Sequence, residues 1–247
     1  MFLVLQINVG KGREATALLR KTAEERGAAV VCVQEPWIRE PKWEGWVRHD
    51  GGDGTKVRTW VRNTVESLAL MNARSMNGIG IIVGNERKSM RIINVYDEPG
   101  GRRNIRMEAI RMIFDEWEGR KILVGDVNAK NTAWGGNITD ERGEDILDWV
   151  TEKGYTMENA CGSPATFHSN RGESWVDLTV SENVQVNDWK VSMDETLSDH
   201  RMIEFTVMGL PKMKRVSVTN VRRTNWEGAR ANARRLLPRK VRYKRGD

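Results

Sequence analysis

Eight polar residues stand where apolar runs of this chain stop: Asn8, Glu35, Tyr96, Asp126, Asn128, Asp177, Asp199 and His200. The pattern is densest in Lys121 to Asn128, KILVGDVN, where four positions that read as a buried strand lead into an acid and an amide. In extended chain, residues two apart share a side, so Asp126 and Asn128 can face one pocket. The same pair also reads as an Asx turn closing the strand. The others have structural readings too: Glu35 as a cap before Pro36, Tyr96 as a core phenol, Asp177 as the partner of a surface arginine. Their common placement at strand ends points instead to one site, at the sheet edge where α/β folds collect ligands. Together the set suits phosphodiester hydrolysis, which needs a divalent cation on phosphate oxygens, a base near water and charge stabilisation of a pentacovalent state. Glu35 is a hard oxygen ligand suited to Mg²⁺, with Mn²⁺ as a substitute. A histidine held by an aspartate is an acid–base element. No Cys/His cluster with zinc spacing and no phosphate-binding P-loop is present.

The hydrophobic pattern predicts the strands that carry these residues. Leu3 to Val9 alternates and closes on Asn8, and Lys11 to Gly27 repeats Ala15, Leu18, Leu19 and Ala23 at helical spacing. Ala28 to Gln34 is a second buried strand running into Glu35. Residues 38–56 read as a loop. Short strands follow at Val57 to Asn63, Glu66 to Asn72, Gly78 to Gly84 and Met90 to Tyr96. A helix over 102–118 is expected to turn Ile105, Ala109, Met112, Ile113 and Trp117 inward. After KILVGDVN, a polar loop over 129–141 leads to a helix around 142–154 with Ile146, Leu147, Trp149 and Val150. Ala165 to His168 and Ser174 to Val180 read as a hairpin, and strands at Val184 to Val191 and Arg201 to Val207 complete the domain. His49 and His168 read as loop residues. Alternating strands and helices with runs of hairpins predict a sandwich of mixed sheets with helices outside.

Charge divides the 247 residues unevenly. Residues 211–247 carry 13 Lys+Arg against 2 Asp+Glu, a balance of +11, so the net +6 of the whole leaves −5 on residues 1–210. The main domain therefore meets a polyanion through local basic patches or a bridging cation, not through bulk charge. Two distant cysteines, Cys32 and Cys161, offer no disulfide framework and suit a reduced compartment, cytosol or nucleus. No run of 18 apolar residues occurs, and the start lacks the basic region of a signal peptide, so no membrane association is expected. Asn225 to Leu237 reads either as a basic amphipathic helix or as a solvated linker.

Taken in order, QINVG, VQEPW, INVY, LVGDVNA, ATF, SWVDLTV and LSDHRMIEF resemble the motifs of the endonuclease/exonuclease/phosphatase superfamily, which includes DNase I-like nucleases and apurinic-site endonucleases. VQEPW, and GDVNAKNTAWGG followed by TDERGEDILDWV, are more similar to the endonuclease domain of non-LTR retrotransposons. The resemblance spans residues 3–207. It implies a four-layered α/β sandwich, two mixed sheets face to face with helices outside, over an endonuclease domain at 1–208. A basic linker at 209–247 would lead to a reverse transcriptase.

By the same resemblance Glu35 would bind the metal with Asn8 close by and Asp199 completing that side. His200, held by Asp177, would act on the phosphate. Asp126 would position or activate water, Asn128 and Tyr96 would stabilise the phosphate, and Thr166 and Ser198 would be supporting hydrogen-bond donors among the DNA-binding residues. Gly10 stands where repair enzymes carry a second acid, which argues against an abasic-site role. The segment FHSNRGESW is expected to reach into a DNA groove through Arg171, with His168 and Asn170 beside it. Arg58, Arg62, Arg102, Arg103 and Arg106 are candidate basic patches. The implied function is a Mg²⁺-dependent endonuclease in the nucleus, nicking one strand of double-stranded DNA and leaving a 3′-hydroxyl that primes reverse transcription. A phosphatase acting on a soluble phosphoester and a catalytically silent nucleic-acid-binding module are the alternatives.

Overall fold

The computed structural model describes residues 1–85, 88–100, 105–170 and 172–209. Arg102, Arg103, Arg171, the side chain of Arg106 and the tail from residue 210 lie outside the described residues. In chain order the elements are β1 (Phe2–Asn8), α1 (Arg13–Glu25), β2 (Val30–Gln34), β3 (Trp46–Asp50), β4 (Val57–Arg62), β5 (Ser67–Ser75), β6 (Gly78–Asn85), β7 (Lys88–Tyr96) and α2 (Ile105–Glu116). They continue with β8 (Lys121–Asp126), a 3₁₀ turn (Thr132–Trp134), α3 (Glu141–Lys153), β9 (Thr156–Met157), β10 (Phe167–Ser169), β11 (Gly172–Ser174), β12 (Asp177–Glu182), β13 (Val186–Val191) and β14 (Ile203–Val207).

Two six-stranded mixed sheets form, in the orders β13-β14-β1-β2-β4-β3 and β5-β6-β7-β8-β12-β9. Each contains one parallel pair, β1 with β2 and β7 with β8, and α1 and α2 make the crossovers that parallel strands require. One core lies between the sheets, with Val4, Val30, Cys32, Ile92, Ile122 and Phe205 among its residues. A second joins the outer face of the β8 sheet to α2 and α3 through Phe114, Trp117, Ile146 and Trp149. A third joins the other sheet to α1 through Ala15, Leu19 and Ala23, spaced four apart on one helical face. The chain is thus an α/β sandwich of four layers, as the resemblance implied. Every residue of β2 and β8 is buried, because both strands are covered on both faces. In β8, Gly125 permits the close β7 contact, since a Cβ there would lie 2.1 Å from the Val95 carbonyl oxygen.

Four expectations are corrected. The 38–56 segment contains β3, which carries His49 into a bond with Ser67 (3.0 Å), and Trp43 stacks on Trp60 at 4.8 Å. Three scattered tryptophans, Trp43, Trp46 and Trp60, cover that sheet, and no periodicity announced them. The inward residues of α2 are Ile110 and Phe114 with Trp117 just past its end and Ile113 partly buried against them, while Ala109 and Met112 are exposed, because positions 110, 114 and 117 share a helical face and 112 lies across from them. The expected hairpin pairs differently: β10 pairs with β11, while β12 pairs with β8 and β9. Val176 and Asp177 are bound by the Thr166 hydroxyl, which separates the short ribbon from the sheet.

Candidate active site

Sheet topology brings the eight residues to one edge. The parallel strands β1, β2, β7 and β8 all finish there, on Asn8, Gln34 before Glu35, Tyr96 and Asp126. β12 and β14 run antiparallel to β8 and β1, so their beginnings arrive at the same edge, bringing Asp177 opposite Asp126 and His200 ahead of Ile203. The sandwich closes the two edges over one another.

A continuous polar chain results. His200 Nδ1 lies 3.0 Å from Asp177 Oδ2, and His200 Nε2 lies 3.7 Å from Asp126 Oδ2. Asn8 Nδ2 donates to the same Asp126 oxygen at 2.9 Å and faces Glu35 Oε2 at 3.4 Å. Glu35 and His200 therefore share one cleft, bridged by Asn8 and Asp126. The Tyr96 phenol stands near the Glu35 carboxylate from the opposite sheet. Asp199 is exposed beside Gly10, and its Oδ1 lies 3.9 Å from where a Cβ on that glycine would stand.

Asp126 and Asn128 meet differently than an extended segment would have them. β8 ends at Asp126, and Asn128 takes a left-handed φ of 46°. Its backbone N–H donates to Asp126 Oδ1 at 3.1 Å and its side chain donates to the Asp97 carbonyl at 2.7 Å. The Asx turn and the site are the same object: the turn fixes the carboxylate's orientation. Gln6 and Phe167, which the sequence reading omitted, complete the surroundings. Gln6 Nε2 reaches Asp177 Oδ1 at 3.5 Å from inside the core, and Phe167 packs edge-on to the imidazole at 5.1 Å. Only an inward position two residues before Asn8 signalled Gln6.

The charges are strongly perturbed. Burial disfavours a charged imidazole at His200, but the Asp177 carboxylate, then Asp126 and Asp199, outweigh it and push it up to about 9. Burial, then the neighbouring Asp177 charge, raises Asp126 well above the usual carboxylate range, with His200, Asn8 and Asn128 pulling the other way. Burial, then the Glu35 and Asp126 charges, pushes the Tyr96 phenol up. The imidazole proton links stability to pH. Below the ordinary histidine value of 6.5 folded and unfolded chains both carry it, so the ion pair with Asp177 contributes fully; the contribution is lost as pH rises through about 9. The urea midpoint of the metal-free protein is expected to fall across that window, and Asp177→Asn to flatten the fall. A midpoint that stays level from neutral pH to 9 in the parent contradicts the raised value.

Two donor sets compete for a cation. Asp126, Asp177 and His200 offer ligand atoms within 4.8 Å of one another. Both imidazole nitrogens there face carboxylates, however, and a charged imidazole has no lone pair to give. The Glu35 carboxylate is one-fifth exposed to solvent, an all-oxygen donor whose ion pair among the described residues is with the open Lys11 ammonium at 3.1 Å. That chemistry fits Mg²⁺, which keeps several waters and takes few protein carboxylates. Asn8 turns its NH₂ toward Glu35 and Asp126 while its carbonyl oxygen accepts the Gly10 N–H at 2.8 Å, so in this geometry it bridges the two carboxylates.

Several expected DNA contacts are corrected. Arg58 is buried and paired with Glu40 at 2.5 Å and Asp50 at 2.6 Å, so its charge is spent inside the fold. Arg62 pairs with Glu24 and lies over Trp46 at the far end of β4, away from the cleft edge. Thr166 is wholly buried; its hydroxyl accepts from the Val176 and Asp177 N–H groups, which makes it a brace behind Asp177 and not a substrate contact. The Ser198 hydroxyl donates to the Asn8 carbonyl at 2.7 Å, tying the His200 loop to β1. His168 and Asn170 are exposed on the short ribbon, and the His168 N–H donates to the Asp199 carbonyl at 2.8 Å, so that ribbon borders the cleft.

The endonuclease–reverse transcriptase family matches residues 90–204, from β7 to β14. Among solved structures, the endonuclease domain of TRAS1, a telomere-specific non-LTR retrotransposon, is 28% identical with a TM-score of 0.76, over 83% of this chain and 97% of that one. The Xenopus laevis APE2 catalytic domain is 14% identical at a TM-score of 0.64, covering 85% and 93%. An AP endonuclease from Archaeoglobus fulgidus is also 14% identical at 0.64, covering 85% and 100%. The last two likenesses show the fold alone. No curated protein sequence matches.

Proposed function

We propose that this chain, a member of the endonuclease/exonuclease/phosphatase superfamily on its fold and its family match, is a Mg²⁺-dependent DNA endonuclease of a non-LTR retrotransposon. The single observation that carries the reading is the chain from Glu35 through Asn8 and Asp126 to His200 and Asp177. A divalent cation held by Glu35, with Mn²⁺ as a substitute and exposed Asp199 facing the same side, would supply charge neutralisation at the phosphate oxygens. The rest is done by the protein. Asp126, fixed by Asn8 and the Asn128 N–H and raised toward neutrality, takes the proton of the attacking water. His200 is charged at neutral pH, so it acts as a hydrogen-bond donor and cation to the pentacovalent phosphate and not as the base. Asp177 holds its ring. The Asn128 amide and the Tyr96 hydroxyl steady the phosphate oxygens. The bond from phosphorus to O3′ breaks and the departing oxygen takes a proton from solvent water, leaving a 3′-hydroxyl and a 5′-phosphate.

In this reading the hydroxyl primes reverse transcription by a covalently linked polymerase reached through the 209–247 linker, and the protein works in the nucleus on double-stranded DNA. Supercoiled plasmid with Mg²⁺ provides the test. The expected product is relaxed circle that EDTA abolishes and that a DNA polymerase extends without phosphatase treatment. Intact plasmid alongside rapid phosphate release from a soluble phosphomonoester would overturn the reading.

A further inference from the structure

Six non-glycine residues among those described adopt left-handed φ: Lys11, Glu35, Asn128, Asn183, Asp188 and Leu197. Asn and Asp tolerate that conformation. Lys11 and Glu35 are locked by their ion pair and by the Lys11 N–H donating to the Glu35 carbonyl at 2.7 Å. Leu197, at φ 57°, has no such account: it is a bulky γ-branched side chain where glycine is favoured. Its side chain also belongs to none of the three cores and is 53% exposed. Among the described residues no core takes that side chain up. Strain kept in an active-site loop with no packing return is a recognised mark of function.

The loop ties this residue to the site. The Thr196 hydroxyl before it donates to the His200 carbonyl at 2.7 Å and accepts the Ser198 N–H at 3.3 Å. Ser198 after it binds the Asn8 carbonyl at 2.7 Å, and its oxygen accepts the His200 N–H at 3.2 Å. Leu197 thus sits between two residues bonded to the His200 and Asn8 backbones, on the frame that orients the imidazole. An apolar group beside a scissile phosphate meets the adjoining sugar before any base. In DNA that sugar presents a C2′ methylene; in RNA it presents a hydroxyl, the group by which proteins tell the two apart. We propose that Leu197 is a specificity-determining substrate contact, whose side chain packs against the C2′ face of the deoxyribose next to the scissile phosphate and rejects ribose. A 2′-hydroxyl pressed on leucine would lose its water without gaining a partner.

This inference rests on the nuclease reading, and its test separates the two. The substrate is a duplex with one mapped nick site, with ribose replacing deoxyribose at the sugars flanking the scissile phosphate, in Mg²⁺. The parent protein is expected to cleave the ribose-substituted duplex with kcat/KM lower by roughly ten-fold or more. Leu197→Gly and Leu197→Asn should bring the two substrates to within about three-fold while melting no lower than the parent, because both relieve the left-handed backbone. Equal cleavage of both substrates by the parent overturns the inference and leaves the nuclease reading standing, as does discrimination that survives both substitutions. A marked drop in melting temperature in both variants assigns Leu197 to the fold and overturns it too. Failure of the parent to nick any DNA removes the nuclease reading, and the inference with it.

Discussion

His200→Gln is expected to lower the nicking rate by about 10²–10⁴-fold while the protein stays folded. The imidazole is buried between two carboxylates, 3.0 Å from Asp177 and 3.7 Å from Asp126, and is charged at neutral pH. Glutamine keeps a donor of similar reach and removes the positive charge, so the variant tests charge delivered to the phosphate more than the space the ring fills. The loss should fall on kcat, because the interaction strengthens as charge develops on the phosphate oxygens. Because both carboxylates lose their cation, the variant is also expected to be less stable near neutral pH, so its rate is measured below its own melting temperature. Nicking at the parental rate, with DNA still bound, would show that the cleft is not the reaction centre and favour a binding module.

Strand ends were legible in the sequence and strand pairing was not, for a physical reason. Asn8, Glu35, Tyr96 and Asp126 end strands, and a strand end is legible wherever an apolar run stops at a polar residue. Which strands lie side by side is set by long-range pairing that leaves no local mark. The β12 pairing with β8, which puts Asp177 opposite Asp126, is of that kind. Arginines were read least well. Arg58 looks like any surface cation until β3 and the segment after Glu35 bring Asp50 and Glu40 onto it. Thr166 was placed correctly and assigned to the wrong surface: its hydroxyl faces backbone N–H groups behind Asp177 and not the cleft. Gln6 shows the same limit, since an inward amide two residues before Asn8 matters only once Asp177 arrives across the core.

Glu35→Gln separates the two cation sites that the geometry allows. The substitution preserves size and hydrogen bonding and removes one charge from a carboxylate that otherwise pairs with exposed Lys11 and faces Asn8. If the cation sits at Glu35, Mn²⁺ binding followed by electron paramagnetic resonance should weaken sharply. Nicking should fall by at least about 10²-fold, since a cation at a transferring phosphate contributes several kcal/mol. Raising Mg²⁺ should recover part of the loss, because the Gln carbonyl still offers an oxygen. Asp177→Asn should behave in the opposite way, keeping Mn²⁺ affinity while losing rate, since its carboxylate serves the imidazole. Were Mn²⁺ instead lost from Asp177→Asn and retained by Glu35→Gln, the ion would belong among Asp126, Asp177 and His200. His200 would then have to be neutral in the working enzyme, and its role as a charged donor would have to be abandoned.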